Sequence, residues 1–112
     1  MDNINRMAIM VFPKEPLVDW ANNVDPDNVT WADDLLGRGN VYLIPEFENF
    51  EEAEEYVQEI FEEIFENELS DWFEDEKVWP EPRTYELFLE WFDVMYDVMA
   101  FDTLSSPIEK AE

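Results

Sequence analysis

The chain has 112 residues, a formal charge of −24 at pH 7, and 46% hydrophobic residues that include five Trp, nine Phe and four Tyr. That length suits one domain, and the aromatic content excludes the disorder that such a charge would otherwise suggest. The complete lack of Cys and His excludes disulfides and thiolate metal sites, and removes the commonest general base and metal ligand.

Residues 7–12, Met-Ala-Ile-Met-Val-Phe, form a short apolar run closed by Pro13, which suits a strand buried on both faces. Pro16 fits the first turn of a helix, and Leu17, Trp20, Ala21 and Val24 then keep helical spacing until Asp25-Pro26 stops them. Thr30 with Asp33 resembles a capping box, Trp31, Leu35 and Leu36 make a small stripe, and Gly37 supplies a stop, so the spacing predicts a second helix of one or two turns. Gly39-Asn40 turns the chain into Val41-Tyr42-Leu43-Ile44, ended by Pro45, the candidate central strand.

The longest element follows. Asn49 can cap a helix whose inner face carries Phe50, Ala53, Tyr56, Val57, Ile60, Phe61, Ile64 and Phe65, with Glu51 and Glu52 in its first turn. Beyond Glu66 the stripe drifts on a wheel of about 100° per residue, which predicts a kink or a fresh start capped by Ser70. Glu68 falls within the apolar sector, so its carboxylate must either be paired, with Arg83, Arg6 or backbone amides as the expected donors, or drift out to solvent where the helix unwinds near Ser70. Residues 74–82, with two prolines, read as a loop that no helix crosses. Thr84 can cap a further helix with Tyr85, Phe88, Leu89 and Phe92 turned inward. Residues 94–101 have the β-branched and aromatic content of a last strand.

Together these predict an α+β domain over residues 1–102, with a frayed tail over 103–112. Its small three-stranded sheet has helices packed on one face, in the order β-α-α-β-α-α-β. The connection between the first two strands would be right-handed if they were parallel. Residues 1–13 lack the pattern of a secretory signal, and no run approaches the roughly 20 residues that span a bilayer. The expected location is therefore cytoplasmic.

The first strand leading into Lys14-x-Pro16 and Asp19-Trp20, then Tyr42-Leu43-Ile44-Pro45-Glu46, Phe65-x-x-Glu68-Leu69-x-x-Trp72, Trp79-Pro80 and Glu90-Trp91-Phe92 form a set of short motifs. Through them, residues 6–102 resemble a group of short acidic bacterial proteins with no assigned activity. The resemblance implies a common fold and brings no activity with it.

Chemistry has few footholds. Pro26-Asp27 with Asp75-x-Lys77 has the residue types of a metal-dependent nuclease, but at long spacing and on a surface that repels its substrate. Asp25-x-Asp27-Asn28 opens like a calcium loop, yet Thr30 and Leu36 stand where the glycine and closing glutamate belong, which favours a turn. Ser70, Ser105 and Ser106 have no histidine to activate them. No cofactor is implied.

The charge itself exceeds what solubility needs. Fifteen acidic residues and no Lys or Arg lie between Glu46 and Glu76, and the wheel places Glu51, Glu55, Glu59, Glu62 and Glu66 on the outer helix face. Such a surface opposes nucleic acid and anionic membranes. It suits a non-catalytic acidic interaction protein whose partner is a basic protein surface, a nucleic-acid-binding protein it masks or a toxin it neutralises. Trp72 or Trp79 would be the aromatic anchor. The alternative is a divalent-cation-dependent enzyme or cation-binding module with Asp and Glu ligands.

Overall fold

Residues 2–28 and 38–110 are described by a computed structural model of the chain; the helix expected over 30–36 lies outside them. Among the described residues the fold is α+β, a three-stranded antiparallel sheet with three α-helices. Strand β1 (Asp2–Asn3) is followed by β2 (Met7–Pro13), helix α1 (Glu15–Val24), β3 (Asn40–Ile44) and the long helix α2 (Phe50–Ser70). Helix α3 (Tyr85–Trp91) then leads directly into β4 (Phe92–Val98), and β5 (Phe101–Asp102) closes the order.

The sheet order is β3-β2-β4, and β1 pairs separately with β5. Both neighbours of β2 run antiparallel to it, with Met10 opposite Val41 on one side and Met95 on the other. The right-handed parallel crossover therefore does not arise. Ile9 and Val11 of β2, Ile44 of β3 and Phe92 of β4 join the buried core with Val57, Phe65 and Leu69 of α2 and Phe88 of α3. Burying such side chains gains about 1.5–3 kcal/mol each, and the core is rich in rings: Phe65 packs 5.5 Å from Phe92, 5.8 Å from Phe88 and 5.7 Å from Trp91.

Three sequence expectations are corrected. The central strand is β2, and the run Val41 to Ile44 forms an edge. Tyr42 and Ile44 point toward the helices, whereas Val41 and Leu43 alternate onto the other face and are exposed, so an all-apolar run there reflects an uncovered sheet face and not a central position. Helix α2 runs as one helix from Phe50 to Ser70 and does not restart there; the Ser70 hydroxyl donates to the Asn67 carbonyl. Ala53 and Leu69 are both fully buried although about 160° apart on the helix. Trp20 and Trp72 pack against the same core as Leu69, so the buried sector widens toward the helix C-terminus and the drifting stripe still finds cover. Third, the last strand begins at Phe92 and ends at Val98. Phe92 has left the helix, its N–H closing α3 on the Phe88 carbonyl, while Leu89, expected inside, is exposed.

Local signals account for the helix starts. Asn49 Oδ1 accepts from the Glu52 N–H at 2.9 Å, and Thr84 Oγ1 from the Leu87 N–H at 3.1 Å, each satisfying a donor that the first turn leaves open. The segment between α2 and α3 contains one 3₁₀ turn, Glu76–Val78, capped by Asp75, and no α-helix crosses it. Gly39 lies against Phe12: an added Cβ would sit 2.7 Å from two atoms of that ring and 3.1 Å from the Val11 carbonyl, so glycine is needed here for close approach.

Candidate functional site

Helix α2 presents Glu51, Glu55, Glu59 and Glu62 to solvent, and among the described residues none of the four has an ion pair. Their inward counterparts Ala53, Val57 and Ile64 are buried, so the helix is held by its apolar face while its carboxylates remain available. Glu66, the fifth residue of the set, is engaged within the fold. Its Oε1 accepts from Arg83 Nη2 at 2.9 Å, while Nη1 of the same guanidinium donates to Glu81 at 2.7 Å.

The two candidate tryptophans stand at the C-terminal end of α2. Trp79 is half-buried, donates its indole N–H to the Phe73 carbonyl at 2.8 Å and lies under the Arg83 guanidinium, 5.7 Å from the ring centroid. Trp72 is also half-buried and borders a shallow cavity of about 210 Å³ with Arg38, Asn40, Glu68 and Asp71. Glu51 begins the opposite end of the helix, roughly 30 Å from Ser70 at about 1.5 Å per residue. The fold thus separates Glu51 from these aromatic rings and links Glu66 to Trp79 through Arg83.

Glu68 is the buried polar residue among the described positions, at 6% exposure. It is paired, as its place in the apolar sector requires, but not with Arg83, Arg6 or backbone amides. Tyr42 donates its hydroxyl proton to Glu68 Oε2, Asn40 Nδ2 donates to the same oxygen at 2.7 Å, and Asn67 Nδ2 donates to the Tyr42 oxygen at 2.9 Å. Antiparallel pairing explains the choice, because β3 carries Asn40 and Tyr42 at alternate positions toward α2 whereas Arg83 is taken by Glu66 and Glu81. Burial pushes the Glu68 carboxyl above its usual range, the Tyr42 and Asn40 hydrogen bonds opposing, and burial together with Glu68 raises the Tyr42 phenol. Sequence reasoning missed Asn40 and Tyr42. The only available signal was a hydroxyl in an otherwise apolar strand.

Two of the carboxylates singled out for metal chemistry, Asp25 and Asp75, have local roles. Asp25 accepts from Asn28 Nδ2 at 2.9 Å, completing a turn, and Asp75 accepts from the Lys77 N–H at 3.0 Å. Among the described residues no group of three or more Asp or Glu is placed to hold a metal ion, and no helix is long and apolar enough to cross a membrane.

A second feature lies at the N-terminal end of α2. A groove of about 460 Å³ is lined by Phe50 and Glu54 of α2, Tyr85 and Leu89 of α3, and Asp93 and Tyr96 of β4. Phe50 meets Tyr96 edge to face at 4.9 Å, and burial, with Tyr85 and Glu54 adding to it, raises the Tyr96 phenol.

The unpaired row on α2 has a consequence for stability. Like charges one turn apart repel by a few tenths of a kcal/mol per pair, and salt screens exposed pairs. The melting temperature at pH 7.5 is therefore expected to rise with added NaCl; a flat or falling curve would mean that the acidic groups are individually compensated. Comparison of the chain with family models, with curated proteins and with solved structures finds no match.

Proposed function

We propose that this protein is a non-catalytic acidic interaction protein that binds a basic surface on another protein. The observation that carries the reading is the row Glu51, Glu55, Glu59 and Glu62, exposed and without ion pairs among the described residues. It is mounted on a helix whose other face is fixed in the core. A rigid row of one sign focuses its field and attracts an opposite partner over about 8 Å at physiological ionic strength. Complementary charge of this kind mainly sets encounter rate and partner choice.

The test replaces Glu51, Glu55, Glu59, Glu62 and Glu66 together with Gln, which keeps volume and helix propensity nearly constant. Asp2, Asp33, Asp34, Glu109 and Glu112 changed to Asn or Gln form the control for net charge alone. Binding of poly-lysine at 50 mM NaCl is expected to weaken at least tenfold for the helix set and by less than threefold for the control, and the difference between the two sets is expected to shrink at 300 mM NaCl as the row is screened. Equal losses would assign the binding to overall charge and remove the special role of the α2 face.

A further inference from the structure

The groove at the N-terminal end of α2 combines two features that the acidic row lacks, aromatic rings and a shaped cavity. Phe50 is 46% exposed and Leu89 41% exposed, while Tyr85 and Tyr96 are half-buried beneath them. Exposed aromatic and aliphatic rims around a concavity of this size, within the range of about 300–1,000 Å³ typical of binding sites, mark a surface shaped to receive a side chain. The charge at the groove is negative. Glu54 has no ion pair among the described residues, and Asp93 meets only Lys14, at 3.9 Å. Lys14 Nζ also donates to the Leu89 carbonyl at 3.2 Å, so an ammonium already rests against one rim of the groove.

We infer that this groove binds a lysine or arginine side chain of an extended basic peptide segment, its apolar stem against Leu89 and Phe50 and its cationic head between the aromatic rings and Glu54. A cation over the face of Tyr or Phe is attracted by the ring quadrupole, by about 0.5–2 kcal/mol depending on desolvation, and a carboxylate beside the rings adds charge-assisted hydrogen bonds. The surrounding backbone fits the same ligand. Strand β4 is an edge of its sheet, paired with β2 alone among the described strands, and it supplies Asp93 and Tyr96 to the groove. Asp93 and Tyr96 lie on opposite sides of the pleat, so the groove wraps the strand where an extended peptide could add as a further strand. The inference rests on the acidic-partner reading and adds to it the site that anchors the partner.

The probes are an eight-residue capped peptide alternating arginine with valine, and the same peptide with citrulline, a neutral isostere, in place of arginine. Titrations by calorimetry use the full chain at 300 mM NaCl, where the diffuse attraction of the α2 row is screened. The arginine peptide is expected to bind at least tenfold tighter than the citrulline peptide. Phe50→Ala and Glu54→Gln are each expected to weaken it five- to tenfold, whereas the five-Gln α2 variant loses less than threefold at this salt concentration. Phe50 and Glu54 are surface positions, and Leu89→Lys, which fills the groove with a built-in cation, gives the same loss should either variant melt non-cooperatively. Equal binding of the two peptides, or no detectable binding of either, overturns the inference. So does a result in which Phe50→Ala, Glu54→Gln and Leu89→Lys change nothing while the five-Gln variant abolishes binding, and this leaves the acidic-row reading standing. The converse, loss only with groove variants at both 50 and 300 mM NaCl, upholds the groove and removes the α2 row.

Discussion

Phe65→Ala is expected to destabilise the domain by about 3–5 kcal/mol, the range for removing a large buried ring. Phe65 is fully buried on α2 and its ring touches Phe88, Trp91 and Phe92, drawn from helix α3 and strand β4. The cavity left behind would lie where the long helix, the short helix and the sheet meet, so no single element can shift to fill it. A domain of this size has only about 5–15 kcal/mol of stability. Urea denaturation should therefore move the midpoint down by about a fifth or more of its value. Phe101→Ala is the comparison: that ring is 51% exposed, and changes at such positions usually stay within about 0.5 kcal/mol. Similar losses for both would mean that Phe65 does not hold the three elements together.

The second large effect is expected at Glu68. Glu68→Leu strands the half-buried Tyr42 hydroxyl proton that now donates to Oε2, and a buried group left unpaired costs about 1–3 kcal/mol; Asn40 is exposed to water and keeps Asp71 within reach. A loss of about 1–3 kcal/mol follows, part of which a second change, Tyr42→Phe, should restore when added to Glu68→Leu, by removing the orphaned hydroxyl. Glu68→Gln behaves differently, because its amide oxygen can still accept both hydrogen bonds while the buried charge is gone. The pH response carries the sign. Burial raises the folded carboxyl of Glu68 above its unfolded value, about 4.3, so the folded state binds the proton more readily. Stability is then gained as pH falls through the folded pKa and levels off below the unfolded one. Melting temperature should rise as pH falls from 7.5 toward the usual carboxylate range in the natural sequence and rise less in Glu68→Gln. An identical slope in the two proteins would remove Glu68 as the source.

The two readings of Glu68, from the sequence and from the structure, show where each stops. Its position on the helical wheel called for a partner or an escape to solvent at the helix end, because wheel geometry and the cost of an unpaired charge are local facts; the structure chose the partner. The partner's identity was not local. Asn40 and Tyr42 stand 28 and 26 residues away, and their approach depends on the antiparallel register of β3 beside β2. Arg83, the cation that charge alone would choose, is held by Glu66 and Glu81 instead.

The same division runs through the molecule. Periodicity and capping chemistry, read along the chain, determined the α+β class, the long helix begun by Asn49, the short helix begun by Thr84, and the outward row Glu51, Glu55, Glu59 and Glu62, since hydrogen bonds at helix starts and the 3.6-residue repeat act within a few residues. Tertiary structure decided which apolar run is central, that α2 continues to Ser70, and that Leu89 turns outward while Phe92 opens a strand. It also assembled the groove of Phe50, Glu54, Tyr85 and Tyr96 from three elements. The physical reason is that an apolar residue carries no label for the surface that will cover it. Cover comes from elements distant in sequence, and only their packing determines which faces are filled and which are left open.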